Sequence, residues 1–407
     1  MSKVCIIVGA SHAAAQLIGS LHQEGWEGEI LVIGDEPELP YNRPPLSKTF
    51  LSGEKNAEQL LIRPAAAYER TGAKFLLNKR VTKIDRNAKL ITLSDNQELS
   101  YDKLAICTGA RVRTAPISGS ELQGVCYLRT IADVERIKGY AGTGKNAVII
   151  GGGYIGLETA ASLTKLGMKV TVLEMANRVL ERVTTPEISA FYTRVHQEEG
   201  VVIKTGVCVS KITGNNKVEA VECEDGSLIP ADLIVIGIGV IPNTELAESC
   251  GIDVDNGIVT DEFAQTSDPD IVACGDCANH PNKLYQRRIR LESVPNATEQ
   301  AKSAAAAICG KQKAYSALPW FWSDQYDIKL QIVGLNQGYE ETLIRGDLNK
   351  GRSFAIFYLK DGIPIAADCI NRVKEFVLAK KLIANKIGIS PERFVDESLQ
   401  VGELVDK

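Results

Sequence analysis

Ala147-Val148-Ile149-Ile150-Gly151-Gly152-Gly153-Tyr154-Ile155-Gly156-Leu157-Glu158, AVIIGGGYIGLE, is the stretch on which the reading of this chain turns. Its opening apolar run, mostly β-branched, favours a buried strand. Gly151, Gly153 and Gly156 then give the G-x-G-x-x-G spacing, and a helical pattern follows. The first glycine permits a tight turn, the second lets backbone approach a pyrophosphate, and the third lets helix pack on strand. Lys169 to Glu174 reads as the next strand and closes on an acid. Such a βαβ unit binds a dinucleotide because amide N–H groups and the helix dipole meet the pyrophosphate while the acid accepts from the ribose. The expected contacts are Gly151, Gly153, Tyr154, Ile155, Gly156 and Glu174. Glu174 favours a free 2′-hydroxyl over a 2′-phosphate, hence NADH over NADPH, and the nearby Arg178 and Arg182 act against that preference.

Working outward, the N-terminal segment repeats the arrangement less cleanly. Lys3 to Val8 leads into Gly9-Ala10-Ser11-His12-Ala13-Ala14, a helical pattern through Leu17, Ile18 and Leu21, and a strand from Ile30 to Ile33 ending near Asp35-Glu36. Ser11 stands where the second glycine belongs and Ala14 where the third does; alanine is tolerated there, serine is the weaker feature. Two such units imply two dinucleotides, one held and one exchanged. MSKVCIIVGASHAAA also has the look of a secretory leader, but its apolar run, Val4 to Val8, is short and suits a first strand better. No stretch approaches the ~18 apolar residues of a membrane span, so a cytoplasmic protein is expected.

Composition is that of an ordinary globular chain. Its 407 residues imply two or three domains, and the apolar and charged fractions are 44% and 24%. A net charge of -5 argues against wholesale nucleic-acid binding. Ten cysteines are scattered without a framework, as expected of reduced thiols, and with four histidines and no His/Cys cluster no metal site is expected. One pair has redox spacing, in Ala273-Cys274-Gly275-Asp276-Cys277-Ala278.

Three further segments carry a resemblance. Tyr101 to Ala110 runs into a Thr108-Gly109 turn; Leu233 to Asn243 contains Gly237 and Gly239 in Gly-x-Gly-x-x-Pro-Asn; and Asp270 to Asp276 ends in Gly-Asp. In this order they resemble the two-dinucleotide-domain flavoprotein reductases related to glutathione reductase. PYNRPPLSK (Pro40 to Lys48), RLESVPNATEQA (Arg290 to Ala301) and PWFWSDQY (Pro319 to Tyr326) look like the NADH-dependent, FAD-containing ferredoxin reductases of oxygenase chains, the putidaredoxin reductase-like branch. The resemblance implies an α/β fold: two Rossmann-like domains, for FAD and NAD, plus a C-terminal α+β domain. FAD would take residues 1–109 and 241–317, NAD 110–240, and 318–407 would supply interface. It implies tightly bound FAD, NADH as donor, a [2Fe–2S] ferredoxin as acceptor serving a cytochrome P450, and a monomer or weak homodimer. The alternatives are a Rieske-type dioxygenase chain or an NADH-dependent quinone or small-molecule reductase.

By the same resemblance Asp276 contacts the FAD ribitol, and Gly9, Ser11, His12, Ala13, Ala14, Asp35, Glu36, Arg43, Lys48, Val81, Thr108, Gly109, Arg111 and Val294 are further FAD contacts. Arg182, Gly237 and Gly239 join the NAD site. Lys48 and Glu158 are expected beside the hydride transfer: the ammonium stabilises reduced flavin and the carboxylate holds the ammonium. The bland alternative is a surface lysine and a helical glutamate. Arg287, Arg288 and Arg290 are candidates for docking an acidic ferredoxin, or a solvated face; Trp320 and Trp322 are a docking platform, a wall by the flavin, or core packing. A disulfide reductase places reactive cysteine just beyond the first nucleotide unit, and residues 35–60 contain none. A redox-sensing binding protein of the same fold typically carries a targeting segment or long extensions, and that reading is not the one expected here.

Overall fold

The computed structural model describes residues 3–404, and the chain divides into two compact units. The first comprises Met1–Asn42, Glu58–Arg111 and Val240–Pro319; the second comprises Arg43–Ala57, Val112–Gly239 and Trp320–Lys407.

In the first unit a parallel sheet runs in the order Ile271–Ala273, Lys103–Ile106, Val4–Val8, Glu29–Ile33, Ala73–Leu76. Val4–Val8 is its centre, with Cys5, Ile6 and Ile7 fully buried, as a strand covered by layers on both faces must be. Val8 lies in register with both Ile33 and Ile106, so the chain leaves the sheet at Gly9 beside two other strand ends. That is the carboxyl-end crevice where open α/β sheets bind ligands. The helix His12–Glu24 packs on the helix Val294–Ile308 in a cluster rich in small residues, Ala14, Ala301, Ala304 and Ala305 among them. Val294–Ile308 opens with Pro295 in its first turn and Ser293 as N-cap, Ser293 Oγ accepting from the Asn296 N–H at 3.3 Å.

The second unit repeats the theme. Its parallel sheet runs Val202–Thr205, Lys169–Glu174, Asn146–Ile150, Leu233–Ile236, Val125–Tyr127, and Ile150 pairs with Leu173 and Ile236. The C-terminal residues form an antiparallel sheet in the order Trp320–Gln325, Ile328–Gly334, Ile363–Ile370, Phe354–Lys360, Glu341–Gly346. Asp361 and Gly362 both have positive φ, 50° and 71°, the requirement of a type I′ hairpin. The helix Val373–Asn385 packs on this sheet.

Two departures from the expected layout bear on the site. Contacts divide the chain in two rather than three, because the C-terminal sheet packs on the helix Tyr154–Lys165. The segment Arg43–Ala57, expected with the first nucleotide unit, belongs to the second because the short helix Pro44–Ser47 also packs on Tyr154–Lys165. Among the described residues no helix is long and apolar enough to cross a membrane, and no group of His, Cys, Asp or Glu has metal-binding geometry.

Candidate active site

The glycines of the second unit have specific work. A Cβ on Gly151, at φ +111°, would lie 2.4 Å from Gly237 O, and one on Gly156 would lie 2.1 Å from Gly151 O. The loop is thus seated on the neighbouring strand end and on its own helix with no room for a side chain. A Cβ on Gly153 meets nothing within 4 Å. The helix Tyr154–Lys165 therefore opens at its N-terminus onto free space, with an N-cap that has no side chain to occupy the amides. These residues fit a pyrophosphate.

Glu174 Oε2 accepts from the Gly152 N–H at 2.6 Å and Oε1 from the Ala176 N–H at 2.8 Å, so the acid also ties the loop to its strand. Arg178 is directed elsewhere: its guanidinium donates to Thr184 O, Ser189 Oγ and Glu181 O. Arg182 is exposed, with a guanidinium nitrogen 3.9 Å from where a Gly239 Cβ would stand. Of the two arginines that act against a bare 2′-hydroxyl, one is taken.

The first unit brings its candidates together at the crevice. A Cβ on Gly9, φ +107°, would lie 2.2 Å from Cys107 O. Ser11 makes no side-chain cap on the helix His12–Glu24. A Cβ on Gly275, φ +90°, would touch Ala13 and Ala297 at 3.5 and 3.7 Å, which sets the Gly275-Asp276 turn against the N-terminal turns of both helices, beside Val294. Asp276 is half-buried. Tyr41 Oη donates to Glu36 Oε2 at 2.5 Å, whereas Asp35 is exposed. This open-ended glycine loop with an acid at the next strand end fits a second dinucleotide. Thr108 and Arg111 serve the backbone nearby: Thr108 Oγ1 donates to Asn243 O, and Arg111 pairs with Asn243 Oδ1 and Glu245. Gly109 follows with φ +63°, and Val81 is buried in the core.

Lys48 and Glu158 meet. Lys48 Nζ lies 2.6 Å from Glu158 Oε2, with the glutamate 3% exposed and the lysine 16%. Such a buried carboxylate must be matched on both oxygens, since desolvation of an unmatched charge costs several kcal/mol. The match is complete: Ser47 Oγ donates to Oε2 and Ser323 Oγ to Oε1, each at 2.6 Å. Neither serine was a candidate from sequence. Arg43 donates to Arg129 O at 2.7 Å.

Cys274 and Cys277 are wholly buried and unbridged. Burial pushes the Cys277 thiol up to about 11. Cys274 faces Cys107 instead, with the sulfurs 3.5 Å apart, and that hydrogen bond, with burial, holds the Cys107 thiol far above its ordinary range. The arginine run is mixed in fate: Arg288 donates to Thr260 O and Asn279 O, Arg290 pairs with Glu292 and reaches Asp276 O, and Arg287 is exposed. Trp320 and Trp322, half-buried, share one face of their strand at 5.6 Å; Trp320 packs on Phe376 and lies under Lys380 Nζ at 4.4 Å.

Residues 3–301 match the family model of the pyridine nucleotide-disulphide oxidoreductases, and residues 320–405 that of the reductase C-terminal domain. The chain belongs to this family. The reductase is 45% identical to putidaredoxin reductase CamA of Pseudomonas putida, over 98% of this chain and 96% of that protein. It is 38% identical to the ferredoxin–NAD(+) reductase component of the anthranilate 1,2-dioxygenase system of Burkholderia cepacia, over 97% of both chains. It superposes on one chain of the covalent putidaredoxin reductase–putidaredoxin complex with a TM-score of 0.95 at 45% identity, covering 99% of this chain and 98% of that one. It is accordingly an FAD-binding, NAD(H)-dependent flavoprotein oxidoreductase.

Proposed function

We propose that this reductase takes a hydride from NADH and passes single electrons to a [2Fe–2S] ferredoxin that serves a cytochrome P450. The reading rests on the 45% identity to putidaredoxin reductase, against 38% to the dioxygenase component. FAD supplies the conversion between the two-electron donor and the one-electron acceptor. Its holders are the Gly9 loop with Ser11 to Ala14, Glu36, Asp276 and the start of the helix Val294–Ile308. Gly151 to Gly156, Glu174, Gly237 and Gly239 bind NADH. Lys48, fixed by Glu158, supplies the positive charge that favours the reduced flavin. Arg287 and the face carrying Trp320, Trp322 and Lys380 are the docking candidates.

The test is a reconstituted assay. Purified reductase is yellow and bleaches when NADH is added without oxygen; unchanged absorbance defeats the reading outright. NADH-driven cytochrome c reduction then rises at least tenfold with a P450-type [2Fe–2S] ferredoxin. Equal stimulation by a ferredoxin of a Rieske dioxygenase chain removes the P450 assignment and keeps the rest.

A further inference from the structure

The partners of Glu158 continue beyond Ser323. Gln325 Nε2 donates to Ser323 Oγ at 3.2 Å, Gln325 Oε1 lies 2.7 Å from His196 Nε2, and His196 Nδ1 lies 3.0 Å from Tyr326 Oη. Glu158, Ser323, Gln325 and His196 are all at most 3% exposed. Strand alternation explains the supply of groups: Trp320 and Trp322 take one face of Trp320–Gln325, and Phe321, Ser323 and Gln325 take the other. On that second face Phe321 stacks edge-on with Tyr154 while Ser323 meets Glu158, one helical turn later.

With a neutral imidazole at His196 the hydrogen-bond roles admit one assignment. Glu158, paired with Lys48, accepts, so Ser323 gives its only proton to Oε1. The serine oxygen then accepts, which requires the amide nitrogen of Gln325. Its Oε1 in turn requires a donor, so His196 carries its proton on Nε2, and Nδ1 accepts from Tyr326. Every donor in the chain points towards the carboxylate, and such chains reinforce one another by about 10–30% per bond. A neutral imidazole leaves Nδ1 to accept from Tyr326, whereas an imidazolium would donate from both nitrogens with the tyrosine oxygen accepting. Burial holds His196 down at about 4, against the smaller opposing effects of Gln325 and Glu199.

We propose that Ser323, Gln325 and His196 are positioning residues that act through Glu158 to hold Lys48 for the reaction with NADH. The C-terminal domain thereby contributes to the donor side of the reaction as well as offering a docking surface. The inference rests on the reading that Lys48 acts beside the hydride transfer, and the tests separate the two.

The chain has four histidines, so a ¹⁵N-histidine NMR spectrum is readable. Burial holds both His196 and His280 neutral from pH 5 to 8; the one whose resonances move in S323A is His196, in the Nε2–H form. A His196 that is Nδ1–H, or that titrates near 6.5, overturns the assignment without reference to activity. In anaerobic stopped-flow mixing with NADH, S323A bleaches about tenfold more slowly at unchanged FAD content, and S323T recovers most of the rate. Placed in an E158Q background, S323A has no further effect. If K48M bleaches slowly while S323A stays within twofold of the unmutated protein, the extension to the C-terminal strand fails. The same holds if the S323A and E158Q effects multiply. If K48M itself bleaches at the normal rate, the reading of Lys48 fails and takes the inference with it.

Discussion

A cysteine attacks as its thiolate, and burial opposes the ionisation that makes one. Cys277, raised to about 11 and wholly buried, is protonated at neutral pH, and Cys274 spends its sulfur on Cys107. The Cys-x-x-Cys spacing therefore belongs to a turn that positive φ at Gly275 makes, and the working residue proposed for it is Asp276. The double variant C274A/C277A keeps NADH-dependent bleaching within threefold while losing roughly 1–2 kcal/mol of stability for each small cavity. Total loss of bleaching with FAD still bound contradicts this. Glu174 is the opposite case, a half-buried acid that ties down its loop and that we propose also accepts from a ribose. Replacing it in E174A frees two backbone donors and removes the proposed ribose acceptor. The kcat/KM for NADH falls about 10–100-fold, or about 1.4–2.7 kcal/mol, and that for NADPH falls less. A parallel loss for both nucleotides in steady-state kinetics places the acid's role in the loop alone.

The strand Ile363–Ile370 carries its own buried acid. Asp368, 2% exposed, accepts from Thr184 Oγ1 at 2.8 Å and from Tyr358 Oη at 2.7 Å. Burial raises it from 3.8 to about 6, against the pull of those two donors. Between about pH 4 and 6 the folded protein thus binds more protons here than the unfolded chain, so this residue's contribution to stability falls as pH rises through that window. The fall amounts to roughly 3 kcal/mol and is complete above pH 6. D368N keeps an acceptor without the charge, so its stability relative to the unmutated protein climbs from pH 4 to 6 and then levels off. A pH-independent difference in urea melts refutes the shift. The strands closing on glycines in the two nucleotide units were legible in the sequence because apolar runs and glycine turns are local signals. Period-two alternation, as local a signal, existed for Phe321, Ser323 and Gln325, but tryptophans drew the reading to the other face. The Ser323–Glu158 bond joins residues 165 apart, and no local pattern encodes such a meeting. Nor does a run of arginines show that Arg288, exposed as it is, spends its guanidinium on the Thr260 and Asn279 carbonyls.

At the scale of the molecule, each unit holds one parallel sheet and one glycine loop, so each carries the means to bind its own dinucleotide. A ligand stabilises what it binds by RT ln(1 + [L]/Kd), about 2.7 kcal/mol at a hundredfold excess over Kd. For units in the 150–250-residue range that is about 5–10 °C. The tryptophans divide usefully: Trp26 lies in the first unit, Trp320 and Trp322 in the second. In W26F, tryptophan fluorescence therefore follows the second unit alone, while circular dichroism follows both. Deflavinated W26F then shows two transitions by circular dichroism. Added FAD raises chiefly the one that fluorescence misses, with a smaller effect on the other through Lys48, and added NAD⁺ raises the one that fluorescence reports. A single transition, moved equally by FAD in both signals, means the two units unfold as one and assigns neither nucleotide to a unit.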